Sequence, residues 1–255
     1  MRVAVLVLVA LLSGCSYFKH KPDPARNWTV DHLYNAAKSA LDAGYYSKAV
    51  KYYEFLETRF PFGVYGQQSL LDLAYAYYKS NDPDSSVSAC DRFIRLYPQN
   101  PRVDYAYYLR GLVNFNRGKG FTERYLPIDL AQRDTSTAMK AFKDFSVLVS
   151  RYPDSPYAKD AKQRMVYLRN LLAKHDLDVG LYYMRRGAYV AAANRAKEVI
   201  DTYEQTPSVP NALILLARAY KVLEMNDLYN DTVRVLQLNY PNHPGIGQLK
   251  EIQVK

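Results

Sequence analysis

The chain of 255 residues holds two cysteines, four histidines, 11 glycines and 13 prolines, and each scarcity closes a class of reading. Cys15 belongs to the start of the chain, so Cys90 stands alone in the body and an internal disulfide framework is excluded. Cys90 shares an apolar helical stripe with Phe93 and Ile94 and reads as a small buried hydrophobe. His20, His32, His175 and His243 stand at no metal-ligand spacing with each other, with a cysteine or with a carboxylate pair. No Gly-x-Ser-x-Gly, phosphate loop or dinucleotide fingerprint occurs. Asp129 and Asp134 flank Arg133, a meagre basis for acid–base chemistry, and Asp82 and Asp84 around Pro83 read as helix capping. The expectation is a scaffold, not an enzyme, with no cofactor and no metal.

A strong basic tract is also missing. The net charge is +9 and the pI about 9.3, yet the positive excess peaks only mildly, between residues 151 and 200. That distribution fits an acidic protein surface better than nucleic acid, and no nucleic-acid partner is expected.

Long apolar runs are absent except one. "MRVAVLVLVALLSGC" has a single arginine, an unbroken run from Val3 to Leu12, then small residues before Cys15. The run is too short for a permanent bilayer span and reads as a signal peptide over 1–14. Leu12-Ser13-Gly14-Cys15 resembles the lipobox of bacterial lipoproteins, which implies acylation of Cys15; plain secretion with a chance cysteine is the other reading. Several acyl chains, at about 0.8 kcal/mol per buried methylene, would hold the chain at a membrane almost irreversibly. Ser16, not aspartate, follows the cysteine, which in that class suggests the outer membrane. Residues 15–28 read as a flexible lead.

What the chain does have is a recurring phrase. "RFPFG" at 59, "LYPQNP" at 96, "RYPDSP" at 151 and "NYPNHP" at 239 each follow a helix-like stretch. Twelve residues before the prolines stand Ala49, Ser86, Ala141 and Tyr229; eight before stand Tyr53, Cys90, Phe145 and Val233. Those offsets lie on one helical face. "AGYYSKA" at 43 and "RGAYVAA" at 186 place a glycine where one helix stops and an aromatic where the next begins. This is the helix–turn–helix pattern of the tetratricopeptide repeat, with origins at 30, 67, 104, 173 and 210. The aromatic–proline phrase is then punctuation between helix pairs. The fold class expected is all-α: a right-handed superhelical solenoid of about five helix pairs after the signal peptide.

Two irregularities interrupt the array. Residues 118–135, "GKGFTERYLPIDLAQRDT" in essence, form a long loop too apolar for disorder; a functional role and a fold-back over a hydrophobic edge are both open. "SPYAKDAKQRMVYLRNLLAKHDLDVGLYYMRRG" reads as one helix of about 30 residues ending before Gly187, with Ser155 as N-cap and Pro156 at N1. The domain reading is therefore repeats 1–3 over 29–155, the long helix with repeats 4–5 over 156–241, and a tail over 242–255.

Tyrosine is abundant, at 25, and occurs in doublets. Neighbours on a helix point about 100° apart, so one ring of each doublet faces away from the core. Tyr75 and Tyr78, then Tyr105, Tyr108 and Phe115, form such a second stripe. In tetratricopeptide geometry it lies on the concave groove and suits an aromatic, extended peptide; coverage by neighbouring repeats is the alternative. Arg185, Arg186, Arg195 and Lys197 gather around the turn of repeat four, either as a solvated face or as donors to a partner carboxylate.

"RFPFGVYGQQSLLDLAYAYYK" at 59–79, "DRFIRLYPQNPRVDYAYYLRGL" at 91–112, "IDLAQRD" at 128–134 and "RRGAYVAAANRA" at 185–196, together with the lipobox, resemble the BamD (ComL) family. The resemblance covers nearly the whole mature chain. Phe60 stands where tyrosine is common in that family, and Tyr189 where tryptophan is often found. The resemblance implies a lipid-anchored scaffold on the periplasmic face of the outer membrane, docking on the POTRA domain of BamA through Arg195, with Arg185, Arg186 and Tyr189 beside it. It implies unfolded β-barrel substrates as ligands, Phe60 and Arg95 as contact positions, and the lipoproteins BamC and BamE as partners. The long loop, with Tyr125, Asp129 and Arg133, is the expected lipoprotein contact. A cell-envelope tetratricopeptide lipoprotein that organises peptidoglycan or cell division is the competing reading.

Overall fold

The computed structural model describes residues 24–117 and 135–250. The expected signal peptide, Cys15, most of the lead, the loop residues Tyr125, Asp129 and Arg133, and residues 251–255 lie outside the described residues. Within them are eleven α-helices and no strand. Ten form the five expected pairs: α1 Val30–Asp42 with α2 Tyr46–Arg59; α3 Gly63–Lys79 with α4 Pro83–Leu96; α5 Val103–Asn116 with α6 Ser136–Arg151; α7 Ala158–Arg185 with α8 Tyr189–Thr202; α9 Val209–Val222 with α10 Asn226–Asn239. A short α11, Gly245–Lys250, follows.

The chain divides into two compact units between Ala76 and Tyr77, inside α3. In the first, α1 packs along α2. In the second, each helix from α4 to α10 packs on the next, and α9 also packs on α7. The first helix of the fourth pair, α7, thus touches both its own partner and the first helix of the fifth pair, so the fifth pair completes the apolar face that the fourth leaves open.

Close approach of helices explains one recurring position. The eighth residue of the five repeats is Ala37, Ala74, Gly111, Gly180 and Ala217, and all five are buried. In repeats three and four even a methyl group is too large: a Cβ on Gly111 would lie 2.7 Å from the Phe145 ring, and one on Gly180 would lie 2.8 Å from Leu215. Around these contacts the core fills with Ala141, Phe145, Leu148 and Leu168 in one cluster, and Ala192, Ala196, Val199 and Leu215 in the next.

The turn inside four of the pairs repeats one backbone device. Gly44, Asn81, Gly187 and Glu224 take φ of +79°, +64°, +76° and +59°. One residue on, the amides of Tyr45, Asp82, Ala188 and Met225 bond back to the carbonyls of Ala40, Tyr77, Tyr183 and Tyr220, at 2.8–3.0 Å. These are helix C-termini closed by a left-handed residue, which satisfies carbonyls that the helix leaves unpaired. Asp82 then accepts from the Ser85 amide at 3.1 Å and caps α4, with Pro83 in its first turn.

The aromatic of the repeated phrase closes the second helix. Phe60, Tyr97, Tyr152 and Tyr240 are the C-cap residues of α2, α4, α6 and α10, each with its amide on the carbonyl four residues back. Tyr203 does the same for α8 although no proline follows it. The long helix is 28 residues, close to the expected length. It starts later than expected, at Ala158, because the Ser155 hydroxyl donates to Asp104 at 2.7 Å and residues 155–157 form a separate turn.

Candidate docking surfaces

The second stripe of α5 is half-buried, not bare. The first turns of α7 lie against it. Tyr108 stacks on Tyr157 with ring centroids 4.7 Å apart and planes 19° off parallel, and its hydroxyl donates to Asp160 at 2.8 Å. Tyr105 meets the same Tyr157 ring at 5.3 Å. Phe115 meets Tyr167 edge-on at 5.6 Å, and the Arg164 guanidinium sits 4.8 Å over its ring. Arg164 in turn donates to Asp160. The hydrogen bond from Arg164, followed by that from Tyr108, holds the Asp160 carboxyl below its usual pKa; burial, then the bond to Asp160, pushes the Tyr108 hydroxyl up. Tyr105, Tyr108 and Phe115 are thus one connected aromatic band that meets Tyr157 and the exposed Tyr167 of α7.

Tyr78 is half-buried and its hydroxyl accepts from Asn116 at 2.8 Å. Arg95 is exposed in the last turn of α4, while Phe60 and Tyr75 are half-buried in the first unit, Phe60 beneath the Arg59 guanidinium at 5.0 Å. Tyr157, Asp160, Arg164 and Tyr167 were not expected at this surface. Their signal in the sequence is an Asp–Arg pair four residues apart on one face of the long helix.

An ion cluster joins α5 to α4 and α6, with Asp144 buried and Asp91 half-exposed. Arg110 donates from Nε to Asp144 at 3.0 Å and also pairs with Asp91, while Asn114 reaches the second Asp144 oxygen at 3.5 Å. Burial raises the Asp144 carboxyl and Arg110 opposes it. Cys90 is fully buried nearby, and burial pushes its thiol up, so it is no nucleophile.

The basic surface of repeat four separates into two parts. Arg185 and Arg186 are exposed where α7 ends, with the Arg186 guanidinium 5.3 Å over Tyr182, and half-buried Tyr189 opens α8 just beyond the turn. Shallow depressions flank this turn, one lined by His175, Asp178, Tyr182 and Arg185, the other by Tyr189, Val190, Asn194 and Leu223. Arg195 lies elsewhere. Its Nη1 donates to Asp176 at 3.3 Å and to Glu198 at 2.8 Å, and its side chain is 39% exposed. Asp176 is nine residues before Arg185, roughly 14 Å along the axis of α7. Asp176 is 13% exposed and also holds Tyr203, whose hydroxyl is pushed up to about 12 by burial and by that carboxylate. Close packing of α7 on α8 puts Arg195 there: its Cβ would be 3.2 Å from a Cβ on Gly180.

Among the described residues no group of three or more His, Cys, Asp or Glu is placed to hold a metal ion, and no helix is long and apolar enough to cross a membrane. Stacked helix pairs with alanine or glycine at the crossing and a left-handed residue at the turn define a protein of the tetratricopeptide class. The chain belongs to the YfiO family of outer membrane lipoproteins, whose model matches residues 26–236. It is 46% identical over 223 residues to the outer membrane protein assembly factor BamD of Neisseria meningitidis serogroup B, covering 88% of this chain and 84% of that one. The BamD of Xylella fastidiosa (strain Temecula1) is 40% identical over 240 residues, 94% and 82% of the two chains. That of Vibrio cholerae serotype O1 is 38% identical over 234 residues, 92% and 96%. The resemblance carried by the four quoted stretches therefore holds over nearly the full length.

Proposed function

We propose that this chain is an outer-membrane protein assembly factor, a lipid-anchored scaffold on the periplasmic face that docks on the POTRA domain of BamA and helps receive unfolded β-barrel proteins. The observation that carries the reading is the near full-length match to relatives that bear that name. Repeat four supplies the docking surface. A half-exposed Arg195, fixed from below by Asp176, can offer its free donors to a partner carboxylate, and Arg185, Arg186 and Tyr189 form a second contact around the turn. The aromatic band of α5, with Tyr78 and Arg95, receives the aromatic-rich end of a barrel substrate, and Phe60 and Tyr75 of the first unit are contact positions for the same class of substrate. The loop with Tyr125, Asp129 and Arg133 meets BamC, and BamE is a further lipoprotein partner.

Arg195→Ala weakens binding to purified POTRA domains by about 1–3 kcal/mol, as loss of a charge-assisted contact does. Unchanged affinity in calorimetry removes Arg195 from the surface. For the function itself, depletion of the chain lowers porin levels in the outer membrane, and the acylated protein recovers a large barrel protein in a pull-down. Recovery of murein enzymes alone overturns the reading.

A further inference from the structure

The turn between α2 and α3 carries the two most exposed large apolar side chains among the described residues, Phe62 at 87% and Val64 at 83%. The turn is built, not loose. Gly63 takes φ +86°, a left-handed conformation that a side chain disfavours. Gly66, in the first turn of α3, packs so tightly beneath it that a Cβ would lie 2.6 Å from the Pro61 carbonyl oxygen. With its base closed in this way, the turn holds Phe62 and Val64 outward.

The same end of the first unit is where the chain enters the fold. Arg59 donates from Nη1 to the Ala25 carbonyl at 3.1 Å and from Nη2 to the Trp28 carbonyl at 2.9 Å. The Tyr65 hydroxyl donates to Asp31 at 2.6 Å and ties the start of α3 to the start of α1. The entering 3-10 turn Pro24–Asn27, the head of α1 and the apolar turn are therefore laced together. The other turn of this unit, with exposed Tyr45, lies at the far end of α2, roughly 20 Å away along a 14-residue helix.

Eight residues separate Cys15 from Pro24, and the nine steps fully extended span roughly 30 Å. Whatever lipid holds Cys15 is therefore within reach of Phe62 and Val64. We propose that Pro61–Val64 is an interfacial membrane contact, in which Phe62 and Val64 enter the headgroup–acyl boundary of the leaflet that holds the acyl chains. The inference rests on acylation of Cys15 as argued under the proposed function. The acyl chains supply retention. The turn adds a second point of contact close to the first, and two points fix which end of the first unit faces the bilayer.

The test uses the acylated full-length chain in vesicles of phosphatidylethanolamine and phosphatidylglycerol. Cys90 is buried and Cys15 carries lipid, so Phe62→Cys presents a single thiol for an environment-sensitive fluorophore. At position 62 the emission shifts to the blue and is quenched by nitroxide-bearing lipid; at position 45, through Tyr45→Cys, it is not. No quenching at 62, or equal quenching at both positions, overturns the proposal. So does a blue shift at 62 that appears only when an aromatic-ended peptide is added, since the turn then serves a protein. Mass spectrometry of the same sample separates the two readings. If Cys15 is unmodified, the anchor reading fails, and the turn is tested alone by holding the chain from Ser16 on nickel-chelating lipid through an N-terminal histidine tag.

Discussion

The Tyr108 hydroxyl donates to Asp160 at 2.8 Å across 52 residues of sequence, and the same carboxylate accepts from Arg164. One acidic group thus fastens the start of the long helix to the aromatic band of α5. Ring stacking of Tyr108 on Tyr157 alone would leave the helix free to slide, because stacked rings tolerate lateral offset. The hydrogen bond sets the register.

Acid should loosen that fastening. The folded-state pKa of Asp160 is lowered, so its contribution is fully present above the unfolded carboxyl value of 3.8 and is lost as pH falls below that through the folded value. Acid unfolding followed by circular dichroism will show a shallower fall in stability below about pH 4 for Asp160→Asn than for the unsubstituted chain. Tyr108→Phe, at neutral pH, costs about 0.5–1.5 kcal/mol in urea unfolding.

The ion cluster around Asp144 gives a larger effect. Arg110→Met leaves Asp144, only 7% exposed at its side chain, as a buried charge without its cation. The loss is about 3–5 kcal/mol. Arg110→Met combined with Asp144→Leu removes both charges and recovers most of it, so the double variant unfolds at higher urea than Arg110→Met alone. Equal midpoints for the two would show that the cluster contributes nothing through charge.

Turn residues give a test of opposite sign. Glu224 occupies, at φ +59°, the position that Gly44 and Gly187 fill in other repeats. Left-handed backbone costs a non-glycine residue about 1 kcal/mol or more. Glu224→Gly therefore raises stability by up to about 1 kcal/mol, offset in part by unfolded-chain entropy, whereas Gly187→Ala lowers it by at least that much. Thermal denaturation of both variants checks the pair.

Helix pairs and their spacing could be read from the prolines and alanines because the repeat writes the same packing problem five times. Alanine at Ala37, Ala74 and Ala217 signals a helix crossing, whereas Gly111 and Gly180 do not, since glycine in a helix interior reads first as a weakness and only a neighbouring side chain at contact distance explains it. Gly44 and Gly187 marked two turns, while Asn81 and Glu224 hid the other two behind side chains that tolerate the same backbone at a cost. Tyr203 was missed as a helix stop because no proline follows it. The aromatic stripe was legible as rings facing away from the core. How far it would be covered was not, because Tyr157 and Asp160 lie about fifty residues further on, and only the folded chain brings them across. The four arginine-surface residues read as one cluster in sequence, but helical rise carries Arg195 to the level of Asp176 and away from Arg185.

The long helix α7 has a consequence of its own. At 28 residues it is a rod of about 42 Å, with Asp160 gripping Tyr108 near one end and Asp176 gripping Arg195 two-thirds of the way along. Both grips are angular as well as axial, so the spacing between them is a phase. One residue inserted between Arg164 and Asp176 would rotate the two grips by about 100° and disengage one of them, whereas seven would leave them within about 20° of their present alignment.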